Sequence, residues 1–426
     1  MDSYTAGMTL EEQIGQLLMV GFWGTTISQE VIDLIRNRHV GGIILFSRNV
    51  QDAQQVLKLT RDLQRVAKEA GQRCPLLIAI DQENGMVRRL GTGTSVFPGN
   101  MALGAIGSEQ VVSDVAQATG RELKALGINM NLAPVVDINN NPANPVIGVR
   151  SFGEDPHEVA RLGAAAVRGY RSAGVLSCLK HFPGHGDTAV DSHLALPTIE
   201  YTMERLNEVE LVPFKSGIEA GADSVMLAHI YLPSIMEHEV LASISPAVVR
   251  GLLREKLGFD GVIITDCLEM QAITETVGVE RGAILALQSG VDLVLVSHLY
   301  SRQRACIDAI RAAVRDGELS PEAVRRAAER VLSLKARFLS WDNLPVSSVP
   351  EWIGGTVHQQ LGERAYELST TLVRNEDGLL PLCLDAEARI VVISPRIDAL
   401  TQVEDRDYPE KFLAESIRQR HGNVST

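Results

Sequence analysis

Asp191 and His193 stand two residues apart near the end of the run KHFPGHGDTAVDSH, which spans Lys180 to His193. In an extended segment, side chains two positions apart share a face. The carboxylate can then hold the imidazole and set its protonation, which makes an acid/base unit of the pair. Asp266, in IITDCLEM, is a carboxylate placed to act as a nucleophile opposite such a unit. Together the three groups fit a two-step displacement with retention, with a histidine where an acid carboxylate is usual. Two other chemistries suit the same run. Its histidines offer metal ligands, although the chain has no HExxH and its His and Asp spacings match no standard zinc pattern. Lys180 and the Pro-Gly-His-Gly turn offer a phosphate cradle, although the Walker spacing is missing and no helical pattern follows at once. His185 reads as a structural member of the turn Phe182–Gly186.

These groups need a scaffold that brings distant segments together. Eight short apolar runs recur along the chain: QLLMVGF, GGIILF, PLLIAID, NMNLAPVVD, LSCLKHF, DSVMLAHI, GVIITD and VDLVLVS. Each has the length and composition of a strand buried on both faces. Amphipathic stretches lie between them, several ending in glycine as helix C-caps do. Alternating strand and helix implies right-handed βαβ units and a parallel sheet. Eight such units predict a (β/α)8 TIM barrel over residues 1–340. An open doubly wound sheet is the alternative, but no GxGxxG follows the first strand. A linker rich in Pro, Gly and Ser is expected over 341–360. Residues 361–426 then read as a short, partial α/β segment: a helix in LGERAYELSTTLVRN, a strand in ARIVVISP and a helix in EKFLAESIRQRHG.

A parallel barrel presents its chemistry at the C-terminal strand ends. The third run ends in Asp81, and Arg89 lies just beyond it. The fourth is followed by a long loop that carries Arg150. The fifth ends in Lys180 and His181, and the seventh in Asp266. Charged groups at the ends of separate strands predict one polar mouth. His229, at the end of the sixth run, reads as a satisfied, half-buried histidine.

The bulk properties narrow the partners. The chain has 426 residues, 45% hydrophobic, and a net charge of −13. Such acidity disfavours nucleic acid. No apolar run approaches the ~20 residues of a membrane span. The five cysteines form no CxxC and no even framework. With no basic and apolar leader at the N-terminus, a cytoplasmic location is expected, with a secreted mature form as the alternative. The expected oligomeric state is a monomer or a weak homo-oligomer.

KHFPGHGDTAVDSHLALP resembles the signature of family 3 glycoside hydrolases, in the N-acetyl-β-glucosaminidase branch. GGIILFSRN, AIDQENGMVRRL with FPGNMALGA, APVVDINNNPANPVIGVRSFGEDP and IITDCLEM agree with it in order. The resemblance covers about residues 8–340, and the tail from Leu361 looks like the start of the family's second, α/β-sandwich domain. It implies Asp266 as the nucleophile, His193 as the general acid/base and Asp191 as its dyad partner. It implies Asp81, Arg89, Arg150, Lys180 and His181 as ligands of the sugar. The implied reaction removes a terminal β-linked N-acetylglucosamine from a small carbohydrate, without metal or organic cofactor. Two departures stand out. DQENGMV replaces the common DQEGGRV, so a change in the loop beside Asp81 is expected. Cys267 follows the nucleophile where Asp is frequent. Phosphate as the acceptor, making a phosphorylase, and a catalytically silent sugar-binding protein are the competing readings.

Overall fold

The computed structural model describes residues 4–188, 197–236, 240–345, 347–393 and 412–426. Eight parallel strands form the sheet: β1 Leu18–Val20, β2 Gly42–Leu45, β3 Leu77–Ile80, β4 Met130–Asn131, β5 Cys178–Phe182, β6 Ser224–Leu227, β7 Val262–Cys267 and β8 Leu293–Val296. Their spatial order is β4-β3-β2-β1-β8-β7-β6-β5. Parallel bridges Met130–Leu176 and Val135–Lys180 join the two outer strands, β4 and β5, and close the barrel. A helix follows each strand: α1 Gln29–Arg36, α2 Ala53–Glu69, α3 Glu109–Ala125, α4 Pro156–Ala173, α5 Leu211–Glu219, α6 Ala247–Lys256, α7 Val279–Ser289 and α8 Tyr300–Arg315. This is the (β/α)8 barrel that the eight runs predict.

Side-chain alternation divides the core into two shells. Leu77 and Ala79 on β3, Leu176 and Cys178 at β5, and Val262 and Ile264 on β7 pack inside the barrel with Met19, Ile44 and Leu295. Ile78, Ile80, Ile263 and Val294 point outward into the helix layer. Helix α9 (Pro321–Phe338) contributes Val331 and Leu334 to the inner shell and seals the bottom. Lys335 on α9 is fully buried and donates from Nζ to Gln16 Oε1 at 2.7 Å. Burial alone pushes its ammonium pKa down to about 7.

Local chemistry sets several helix ends. Asp52, Ser108 and Asp155 cap α2, α3 and α4 through their side chains, and Pro156 opens α4. The stretch LNEVELVPFKSGIEAG is not one helix. It forms Met203–Glu208 and then α5. Pro213 accounts for the break, since its ring would clash with the carbonyl of residue 209 in a continuous helix.

Beyond the barrel, helix α10 spans Thr356–Ser369. It therefore starts inside the expected linker and stops short of Arg374. Its anchor is Glu122 on α3, which accepts from His358 Nδ1 (2.7 Å), Gly354 N and both donors of Ser95. Residues 370–388 are exposed almost throughout. A two-stranded parallel ladder, Ile390–Val391 with Val424–Ser425, and the helix Phe412–Arg418 complete the described tail. No described helix is long and apolar enough to cross a membrane.

Candidate active site

The strand parity that builds the core also builds the site. Leu77, Ala79 and Asp81 share the inward face of one strand. So do Leu176, Cys178 and Lys180, and so do Val262, Ile264 and Asp266. Below, these positions are apolar and fill the barrel. One step further up they are ionisable and line a cavity of about 190 Å³. That is smaller than the ~300–1,000 Å³ of typical drug-sized sites and suits a single sugar ring. Its floor is Leu132, Met226 and Leu295, the top of the inner shell. Asp81, Arg89, Arg150, Lys180, His181 and Asp266 all line it, so the six expected residues that are described converge. Asp191 and His193 lie outside the described residues. A larger groove runs along the outside of α2, lined by residues such as Lys58, Arg61 and Asp62, and holds none of these groups.

A buried charge network shapes one wall. Lys180 Nζ donates to Asp81 Oδ1 at 2.7 Å and lies 2.6 Å from Glu83 Oε1. Arg150 grips Glu83 with two parallel bonds, Nε to Oε2 at 2.9 Å and Nη2 to Oε1 at 2.8 Å. The fork geometry of guanidinium suits such a bidentate grip. Two carboxylates and two cations leave the cluster formally neutral. Burial pushes the Glu83 pKa up, but Arg150 and Lys180 outweigh it and hold the carboxyl well below the usual range. Burial likewise opposes the charge on Lys180, yet Asp81 and Glu83 raise its pKa overall.

Asp137 is the second carboxylate that the sequence reading did not single out. It follows β4, is 1% exposed, and accepts from His181 N (3.1 Å), His181 Nδ1 (2.7 Å) and His185 N (2.7 Å). Burial raises its pKa, but the neighbouring His181 and these bonds lower it overall. An acidic acceptor on Nδ1 leaves His181 Nε2 facing the donor Arg150 Nη2 at 3.5 Å. The signal for Asp137 was present, since VVD ends a strand run just as AID and ITD do. Glu83 had no such signal, because it lies past the strand end, inside a hairpin.

That hairpin, Gln82–Asn84 against Val87–Arg88, carries Arg89 to the cavity. Gln82 Oε1 accepts from the backbone N–H of Arg89 and of Leu90, both at 3.0 Å. Its turn is Asn84-Gly85, with φ of 70° and 58°. Asn tolerates this left-handed region, and Asn-Gly is a favoured hairpin turn. The ENGM departure thus suits the hairpin conformation here.

The loop after β5 is held at both described ends. A Cβ on Gly186 would collide with the carbonyl of Ile138, so only glycine fits there. His185 is buried, accepts no charge at neutral pH, and pairs through Nδ1 with Thr188 Oγ1 at 2.6 Å. Burial, then the neighbouring His181, lowers its pKa to about 4. On the far side, Ile199 N donates to Tyr231 O at 2.9 Å. His229 is fully buried. Its Nδ1 pairs with Ser243 Oγ (2.7 Å) and its Nε2 donates to the carbonyl of Cys267 (3.0 Å). It supports the end of β7 rather than lining the cavity. Asp266 Oδ1 accepts from the N–H of Cys267 at 2.7 Å.

Cys267, Glu269 and His298 offer three donor atoms within 4.8 Å of one another. Glu269 already accepts from the N–H of His298 (2.6 Å) and of Leu299 (3.0 Å), which makes it a staple of the loop after β8. The Cys267 thiol is pushed up to about 12, by burial first and then by Glu269.

Barrel, mouth and charge cluster describe a class of α/β-barrel enzyme with a pocket-shaped site. The chain matches the description "Glycosyl hydrolase family 3 N terminal domain" over residues 9–334. It belongs to that family. Beta-hexosaminidase A of Pseudoalteromonas piscicida is 36% identical over 427 residues, 91% of this chain and 71% of that protein. A glycoside hydrolase family 3 β-N-acetylglucosaminidase from Paenibacillus sp. str. FPU-7 superposes with a TM-score of 0.93 at 45% identity, over 98% of this chain and 79% of that one. A fungal multi-domain family 3 β-N-acetylglucosaminidase superposes with a TM-score of 0.92, also at 45% identity. The match covers 98% of this chain and spans about half, 49%, of that fungal chain.

Proposed function

We propose that this protein is a retaining exo-acting β-N-acetylglucosaminidase. In this reading Asp266 attacks the anomeric carbon and forms a glycosyl-enzyme ester. His193, oriented by Asp191, protonates the departing oxygen and then deprotonates the water that releases the sugar. Asp81, Arg89, Arg150, Lys180 and His181 hold the sugar's hydroxyl and acetamido groups. The observation that carries the reading is a carboxylate, Asp266, on the same small cavity as the Asp81–Lys180 pair. A neutral ligand with many hydroxyls suits a formally neutral wall of fixed donors and acceptors.

The relatives' names supply the sugar, and the cavity supplies the mode of action. One ring fits in a pocket with a closed floor, so a chain can be trimmed only from its end. Asp266→Ala should abolish turnover of an aryl N-acetyl-β-glucosaminide, and a 2-fluoro glycosyl trap should label a peptide containing Asp266. Near-normal activity in the variant would sink the assignment. Sugar 1-phosphate among the products in phosphate buffer would instead make the protein a phosphorylase.

A further inference from the structure

The cavity has two unlike walls. Asp81, Arg89, Arg150, Lys180, His181 and Asp266 make the polar one. Ile44 and Phe46 from β2 and its loop, and His298 from the loop after β8, make the other, above the floor residue Leu295. In the barrel β1 lies between β2 and β8, so the loop after β1 rises above this second wall. That loop, Gly21–Gly24, carries Trp23.

Trp23 is 67% exposed, more than either of the other two tryptophans, and an apolar surface that is costly to leave in water. It does not stand alone. The Arg48 guanidinium lies over the Trp23 ring at 4.7 Å and over the Phe46 ring at 4.1 Å. Phe46 and Arg48 both line the cavity. The Arg48 guanidinium therefore links the Phe46 ring on the cavity wall to the Trp23 ring.

The backbone under the tryptophan is fixed on both sides. Asn49, fully buried, donates from Nδ2 to Phe22 O at 3.1 Å and to Gly24 O at 2.8 Å. Arg48 Nε donates to Phe22 O at 2.8 Å, and Gln303 Nε2 donates to Gly21 O at 2.7 Å. Gly24 has a φ of 98°, which glycine adopts without strain. A loop held this firmly presents its aromatic ring at little further entropic cost when a ligand arrives.

We propose that Trp23 is the platform of an acceptor-side subsite. It stacks on the C–H face of the sugar ring joined to the one in the cavity, with Arg48 behind it as a rigid support. Aromatic rings and pyranose chairs suit each other because the axial C–H bonds give the sugar an apolar face that covers the ring, with the equatorial polar groups left at the rim. This inference rests on the glycosidase reading, and it makes Trp23 a specificity-determining residue for substrates with two or more rings.

The test compares two substrates in the full chain. N,N′-diacetylchitobiose has an acceptor ring, and N-acetyl-β-glucosaminyl fluoride has none. In Trp23→Ala, kcat/KM for the disaccharide should fall about tenfold, chiefly through KM, while the fluoride is hydrolysed as in the wild type. Trp23→Phe should recover most of the loss. An equal loss on both substrates, or no loss on either, overturns the proposal. A second arm needs no turnover. In Asp266→Ala, chitobiose should bind about tenfold tighter than N-acetylglucosamine, and adding Trp23→Ala should erase that margin. Equal affinities before the Trp23 change overturn the subsite. A wild type that binds both sugars with this margin yet hydrolyses neither substrate refutes the glycosidase reading and leaves the subsite standing.

Discussion

At the residue scale, the site turns on Glu83 rather than on any of the expected ligands. Its carboxylate is shared by Arg150 and Lys180, both buried. Removing its charge leaves two cations facing Asp81 alone, and breaking such a buried set typically costs about 3–5 kcal/mol. Glu83→Gln should show that loss in urea denaturation, with a raised KM. The pH dependence follows from the sign of each shift. The Glu83 and Asp137 pKa values are lowered by folding, so their stabilisation is complete above the unfolded carboxylate value of ~4 and fades as pH falls below it. His185 is lowered to about 4, so its contribution is complete above the unfolded value of ~6.5 and fades between there and 4. Thermal melts should therefore fall in two stages on acidification. His185→Gln should flatten the upper stage, and Glu83→Gln the lower one.

At the element scale, the strand ends were readable before any fold was known. Asp81, Lys180 and Asp266 each extend the inward parity of an apolar run, and a strand period of two fixes where such residues point. Asp137 carried the same mark at the end of VVD. Glu83 keeps the period of Leu77, Ala79 and Asp81 but does not end an apolar run, and its orientation comes from a hairpin with its turn at Asn84-Gly85. Helix starts were harder to read. The start of α10 at Thr356 is set by tertiary contacts between Gly354, His358 and Glu122, which no local period records. Close backbone approach is equally silent in a sequence. Gly186 meets Ile138 backbone to backbone, and relieving an added methyl there typically costs about 1–3 kcal/mol. Gly186→Ala should lower the melting temperature and greatly reduce turnover, because it parts the loop after β5 from Asp137's segment. Near-ultraviolet circular dichroism would show whether the rest of the barrel is preserved.

At the scale of the whole molecule, every described cavity residue belongs to the barrel. The tail exposes Leu372, Val373, Leu379, Leu382 and Ile393, and among the described residues it adds nothing to the mouth. A chain ending after Ser369 should fold with an unchanged melting temperature and turn over an aryl glycoside as the full chain does. Loss of activity in that truncation would assign the tail a role in the cleft. The sealed floor carries a further consequence. With Leu132, Met226 and Leu295 beneath it and α9 below them, the described residues leave no exit through the floor of the cavity. Under the proposed exo-acting function the released monosaccharide leaves by the mouth that the next chain end enters, so free N-acetylglucosamine should act as a competitive inhibitor, slowing turnover as product accumulates.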